Sequence, residues 1–309
     1  MALDVRPIIP SRFFGHKSRG AAPSSRIGAY IALMKLRVVE LLLVTTVPTM
    51  VLAEGGWPSI QLMAITLIGG TLAAGGANAI NMYIDRDIDK LMVRTQNRPL
   101  VTGALTPRAA MIFAIGLEIV AFLVLWAGAN LLAAVLAVSA TLFYVFVYSL
   151  WLKRTSKQNI VIGGAAGAMP VLVGWAAVTN SLGWAPVVLF IVIFLWTPPH
   201  FWALAIRHAD DYKAAGVPMM PVVVSLERTV RSMTTYAVLL TLSTLVLVPV
   251  AELGWIYGIT ALVFGVAFVI GSVRLGSDPS PKRSMRLFTF SITYVTAVFV
   301  ALTVDVLLR

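Results

Sequence analysis

Three residues spaced by four, Asn81, Asp85 and Asp89, stand at the end of a long apolar run, inside the stretch NMYIDRDIDKLMVRTQNRPL at 81–100. If that run continues as a helix past residue 82, the three share one face with a drift of about 40° per step, and Asp87 points elsewhere. One amide and two carboxylates make an all-oxygen, anionic donor set. Such a set suits a hard divalent cation such as Mg²⁺ better than zinc or copper. Because Mg²⁺ keeps part of its hydration and commonly bridges carboxylates to phosphates, the metal implies a phosphate-bearing ligand. Arg94 and Arg98 follow as an i, i+4 pair, and Lys153, Arg154 and Lys157 form another basic group. Guanidinium and ammonium groups near diphosphate oxygens stabilise developing negative charge. The same spacing also fits a solvated loop whose acids and bases neutralise one another, so spacing alone leaves both readings open.

Other polar residues stand out against apolar surroundings. Asp210 and Asp211 form a second acidic site, which alone reads as solvated surface and beside the first reads as the other wall of a cavity. His200 follows Pro198 and Pro199, a pair expected to kink a helix and line a cavity, so His200 is a candidate water-positioning group there. Glu40 and Glu118 fall within apolar runs, where a carboxylate is costly unless it is paired, protonated or facing a cavity. Glu40 is read as a site-wall residue and Glu118 as a partner in helix pairing.

The elements that must position these groups are membrane helices. The chain has 309 residues, is 59% hydrophobic and only 12% charged, and contains repeated apolar runs long enough to cross a hydrocarbon core. Nine spans are expected, at 36–54, 59–82, 107–127, 130–150, 160–179, 184–205, 229–250, 254–273 and 286–307. This all-α arrangement leaves one nine-helix domain over 36–309, with 1–35 expected to be a disordered basic cytoplasmic tail. The connections after spans two and six are long, begin with acidic residues and pass through Gly and Pro, which suggests two related four-helix halves and a ninth helix. Gly163 and Gly167 have the spacing that lets helices approach closely.

Charge placement supports the same map. Of the 24 Lys and Arg, 23 fall in the tail and the even-numbered connections or at their edges, and only Arg309 lies on the opposite side. Positive charge accumulates in cytoplasmic segments, so the N-terminus is expected inside and the C-terminus outside a bacterial inner membrane. The net charge of +11 then reflects anionic lipid and needs no nucleic acid partner. The Arg- and Ser-rich, acid-poor N-terminal segment leaves the mitochondrial inner membrane as a minority alternative. Absence of cysteine excludes disulfides, thiolate nucleophiles, iron–sulfur clusters and Cys-ligated metals.

Asn81, Asp85, Asp89, Met92, Arg94, Thr95, Arg98 and Gly103 resemble the N-xxx-D-xxx-D…M-x-R-T-xx-R-xxxx-G pattern of the UbiA superfamily of intramembrane prenyltransferases. Within it the chain is similar to the haem-modifying branch through KLRVVELLLVTTVPTM at 35–50, NIVIGGAAGAMPVLVGWAA at 159–177, WTPPHFWALAI at 196–206 and DDYKAAGVPMMPVV at 210–223. The resemblance implies a UbiA-type bundle with a central cavity open to the cytoplasmic side. It also implies transfer of farnesyl from farnesyl diphosphate to a vinyl group of haem B with addition of water. Mg²⁺ would be held by Asn81, Asp85, Asp89 and, across the cavity, Asp211, while Arg94, Arg98, Lys153 and Lys157 would bind the diphosphate. Trp196, Phe201 and Trp202 could shield an allylic cation, and in a haem-modifying enzyme His200 is a candidate haem contact. Members of the superfamily often carry a second D-xxx-D. Here the position four before Asp211 is Arg207, which could pair with a haem propionate instead.

Two other readings compete. A prenyltransferase acting on a quinone precursor or another aromatic acceptor would share the aspartate motif. A transporter would share the spans, but transporters bind near the midplane and these acids cluster at helix ends. Hand-over of the product to haem A synthase or a terminal oxidase is a further expectation.

Overall fold

The computed structural model describes the chain from Ser25 onward, apart from Pro279 and the side chains of residues 37–43. Nine long helices run through the described residues: α1 (Leu36–Glu54), α2 (Ile60–Ile84), α3 (Pro107–Gly128), α4 (Leu131–Thr155), α5 (Asn159–Thr179), α6 (Trp184–Arg207), α7 (Leu226–Val250), α8 (Trp255–Ser277) and α9 (Pro281–Leu307). Eight of them, α2 to α9, are long and apolar enough to cross a membrane, and α1 is a 19-residue helix in the expected first span. The protein is an integral membrane protein.

Helix ends follow local chemistry. Ser59, Thr106, Asn130, Ser225 and Ser280 each accept a backbone N–H in the first turn of the helix they precede. Asn130 does a second job, donating from Nδ2 to the carbonyl of Ala176 at 2.7 Å and so fastening the start of α4 to the end of α5. Gly254 cannot cap α8 itself. Asp305, in the last turns of α9, does so instead, accepting from Gly254 N at 2.6 Å and Tyr257 N at 3.3 Å.

The bundle is centred on α6, of whose apolar stretch 61% is buried, against 22% for α3. It packs on α5, α7 and α9, while α1 lies against α5 and α9, and α2 against α3. Aromatic and branched residues fill the core around α6 to α9, whereas alanines such as Ala73, Ala121, Ala133 and Ala176 bring α2 to α5 close together. Ile112, Ile115, Ile119 and Leu123 of α3 and Leu262, Val263 and Ile270 of α8 point outward, as expected when the solvent is hydrocarbon.

Part of the expected disordered tail is ordered. Residues Arg26–Met34 form a helix capped by Ser25, with Ala29 and Leu33 buried against Ala79 and Met82 of α2. Nine residues are too short for a membrane-span signal, and it is this packing that stabilises them. The remainder of the tail lies outside the described residues. The proline pair does not break α6 either: the helix runs continuously from Trp184 to Arg207, with the Thr197 hydroxyl bonded to the Ile193 carbonyl at 2.9 Å.

Candidate active site at the charged end of the bundle

α2 ends at Ile84, not beyond it, yet helical spacing survives the end. Asp85 N–H donates to Asn81 O at 2.9 Å, and Asp89 N–H to Asp85 O at 2.8 Å, so the three side chains stay in one row through a turn and a short 3₁₀ segment, Ile88–Lys90. Asp85 and Asp89 are 0% exposed. Asp87 points outward as the spacing required, and Arg154 clamps it with two bonds of 2.7 Å. That guanidinium holds the Asp87 carboxyl down at about 2.

Each buried carboxylate has one oxygen hydrogen-bonded and one without a hydrogen bond, although Arg154 stands 4.0 Å from Asp85 Oδ1. Asp85 Oδ2 accepts from Lys153 Nζ and from Asn81 Nδ2, the latter at 2.8 Å, and Asp89 Oδ2 accepts from Arg98 Nη1 at 2.6 Å. Asp85 Oδ1 and Asp89 Oδ1 are buried and make no hydrogen bond. Buried anionic oxygens are rarely left so, and an all-oxygen pair of this kind fits a hard divalent cation. The residues present therefore fit Mg²⁺, with Asn81 Oδ1 as the neutral third donor.

The rest of the motif is scaffolding. Met92 is buried, Thr95 Oγ1 bonds back to the Asp89 carbonyl at 2.7 Å, and Gly103 takes the left-handed conformation, φ +78°, that ends the Pro99–Thr102 helix. α4 contributes through a wide π-helical stretch, Phe143–Leu152, in which Ser149 Oγ donates to Tyr144 O five residues back. Ser149 Oγ in turn accepts from Asn81 Nδ2 at 3.0 Å. Tyr148, stacked on Tyr144 at 5.3 Å, lies over Gly163, where a Cβ would collide with its ring. Gly167 has nothing near it, so only the first of the two glycines serves close approach.

The second motif reaches the first by a different contact from the one expected. Asp211 Oδ1 accepts the backbone N–H of Val93 at 3.1 Å, and Arg94 Nη2 donates to the Tyr212 hydroxyl at 3.0 Å while lying over that ring at 5.1 Å. Among the described residues no group of three His, Asp or Glu side chains is placed to hold a metal, so Asp211 does not join Asp85 and Asp89 in one cluster. Its other oxygen lies 3.8 Å from His208 Nδ1, and burial, with Arg94 nearby, pushes His208 below its usual range. Lys157 and Arg207 are exposed, one in the turn after α4 and the other at the end of α6.

The WTPPHFW segment faces neighbouring helices. His200 Nδ1 bonds Ser291 Oγ of α9 at 2.6 Å, and its ring is sandwiched between Trp196 at 4.1 Å and Phe288 at 4.5 Å, with Phe201 edge-on at 5.1 Å. Trp196 Nε1 bonds the Ser291 carbonyl at 2.8 Å, and Trp202 meets Tyr236 of α7. This is histidine used in helix packing rather than on an open kink. Glu118 pairs with Thr141 of α4 at 3.1 Å, the interhelical role expected for it. Glu40 is among the side chains outside the description. Lys35, Arg98 and Lys153 pack around the carboxylates.

Sequence reasoning missed Lys35, Ser149 and Tyr212. Lys35 Nζ donates to Asn81 Oδ1 at 2.9 Å, and burial, with Arg98 and Lys153 beside it, pushes its amine down. The residue had been counted with the tail.

The chain matches the profile of the UbiA prenyltransferase family over residues 42–296. It is 54% identical over 290 residues to protoheme IX farnesyltransferase of Frankia casuarinae, covering 92% of this chain and 99% of that one. Against the enzyme of the same name from Streptomyces avermitilis it is 49% identical over 299 residues, covering 94% and 98%. Its fold resembles a digeranylgeranylglyceryl phosphate synthase, with a TM-score of 0.76 at 18% identity over 92% of this chain and 99% of that one. It also resembles a UbiA homolog from Archaeoglobus fulgidus bound to GPP and Mg²⁺, with a TM-score of 0.65 at 19% identity over 89% and 99%. The chain belongs to the UbiA prenyltransferase family, among its protoheme IX farnesyltransferases.

Proposed function

We propose that the enzyme transfers the farnesyl group of farnesyl diphosphate to a vinyl group of haem B, with addition of water, at the charged end of the bundle. The observation that carries the site assignment is the pair of fully buried carboxylates, Asp85 and Asp89, each with one oxygen on a cation and one oxygen that makes no hydrogen bond. Asn81, Asp85 and Asp89 would hold Mg²⁺, which when bound neutralises the departing diphosphate. Asp211 is placed to order the Val93–Arg94 loop beside them.

The chemistry asks little else of the protein. The allylic C–O bond breaks with its electron pair leaving on the diphosphate, the vinyl carbon forms the new C–C bond, and water captures the adjacent carbon and loses a proton. Arg94, Arg98 and Lys153 stabilise negative charge on the leaving group, and the enclosed setting makes each of those interactions stronger than it would be in water. Arg98 and Lys153 are ion-paired with the same carboxylates that would take the metal, so metal binding frees them to turn to the diphosphate. Lys157 extends the basic rim. Trp196, His200, Phe201 and Trp202, packed against α7 and α9, would back one wall of the acceptor region. Arg207, exposed at the end of α6, would pair with an anionic group such as a propionate.

The charged end faces the cytoplasm of a bacterial cell in this reading, supported by the one-sided distribution of Lys and Arg. A farnesylated haem stays in the bilayer, which suits direct hand-over to haem A synthase or a terminal oxidase. Detergent-purified protein supplied with haem B, farnesyl diphosphate and Mg²⁺ should form haem O, and chelation of Mg²⁺ should stop it. Prenylation of 4-hydroxybenzoate with haem B left unmodified would overturn the acceptor assignment.

A further inference from the structure

Lys35 is held in place at some cost. It joins the Arg26–Met34 helix to α1 in the left-handed conformation, φ +52°, which is unfavourable for a residue with a side chain. Two contacts fix the junction. Asn78 Nδ2 donates to the Met34 carbonyl at 3.1 Å, and the Met34 side chain lies over Gly75, where a Cβ would stand 2.7 Å from it. With Ala29 and Leu33 buried against α2, the short helix becomes a strap whose last residue aims Nζ at Asn81 Oδ1.

The other two enclosed cations each have a carboxylate: Lys153 has Asp85 and Arg98 has Asp89. Among the described residues, the bonded partner of Lys35 is a neutral amide. Asp85 and Asp89 act on Lys35 without bonding to it, because each is already paired with another cation, and strain that aims a half-buried ammonium at their edge signals a use. Counting Lys35, Arg98 and Lys153 against Asp85 and Asp89, the enclosed site carries one excess positive charge. One divalent cation brings the excess to three, which balances the charge of about minus three on an ionised organic diphosphate. The second metal-binding wall is weak in this chain, with Arg207 exposed and Asp211 bonded to Val93.

We propose that Lys35 is a diphosphate-binding residue that takes the electrostatic part of a second metal ion, so that the site binds one divalent cation per diphosphate. The proposal rests on the prenyl diphosphate reading above.

The test is equilibrium binding of inorganic diphosphate to the purified full chain in detergent, with Mn²⁺ as the metal so that bound ions can be counted by their paramagnetic signal. Wild type should bind one Mn²⁺ per diphosphate. Lys35→Met should weaken diphosphate binding about 10- to 100-fold, and Lys35→Arg should recover most of it. Thermal melts of both variants in detergent identify a folding defect, and Lys35→Gln then serves as a second neutral variant with a polar end. Two Mn²⁺ per diphosphate in wild type, or unchanged diphosphate affinity in the folded neutral variants, would overturn the proposal while leaving the prenyltransferase reading standing. Failure of wild type to bind metal and diphosphate together would overturn both.

Discussion

The backbone N–H of Val93 donates to Oδ1 of Asp211 at 3.1 Å, across 118 positions of sequence, and this bond joins the loop after α2 to the loop after α6. An acidic residue expected to bind metal is here occupied in holding the neighbouring loop. Beside it, Tyr212 receives the guanidinium of Arg94 at 3.0 Å. The two motifs therefore act on each other directly, and Asp211 and Tyr212 set where Arg94 stands.

Tyr212→Phe tests that relationship, since it removes the hydroxyl and keeps the ring under the guanidinium. Loss of one charge-assisted hydrogen bond should raise KM for farnesyl diphosphate by about 5- to 20-fold, with a smaller effect on KM for haem. Equal changes in both constants would mean that the loop positions the whole site rather than Arg94.

Asp85→Ala should abolish turnover while the folded protein remains in the membrane. It also strands Lys153 beside a missing partner, which costs about 3–5 kcal/mol where the charge cannot reach water. The double variant Asp85→Asn, Lys153→Met should melt closer to wild type than Asp85→Ala does and remain inactive. Recovery of activity in the double variant would sink the assignment of Asp85.

Gly163→Ala and Gly167→Ala make a matched pair on one helix. The first places a methyl group against the Tyr148 ring and should lower stability by about 1–3 kcal/mol, seen as a reduced melting temperature in detergent. The second meets open space and should be close to neutral.

The Asp87–Arg154 pair predicts an acid-side effect. The folded carboxyl is depressed to about 2 from an ordinary 3.8, so its contribution is present above about pH 4 and fades as pH falls through 2. Asp87 is 60% exposed, so the contribution is under about 1 kcal/mol and shrinks with added salt. Melting temperatures of wild type and Asp87→Asn, separated by about 2 °C or less at neutral pH and low salt, should converge on acidification.

The spans were legible because hydrocarbon leaves a chain one way to satisfy its backbone, and twenty apolar residues in a row announce it. The row of Asn81, Asp85 and Asp89 was legible as well, since i, i+4 spacing survives a helix end when the backbone bonds continue through it. Lys35 was not. Its place depends on a left-handed junction enforced by Asn78 and Gly75, some 40 positions away, and nothing local marks it. The π-helical turn that seats Ser149 leaves no signature in FYVFVYSLWL either. At His200 the proline pair predicts a kink, yet the helix runs on from Trp184 to Arg207 and the ring packs against Ser291 and Phe288.

The acceptor chemistry is tested most directly by making the product in H₂¹⁸O from haem B, farnesyl diphosphate and Mg²⁺ and weighing it by mass spectrometry. The expected product is a haem carrying one farnesyl group and one ¹⁸O-labelled hydroxyl, with one diphosphate released per haem modified. Haem B recovered unchanged, or a farnesylated haem without the labelled oxygen, would contradict the account.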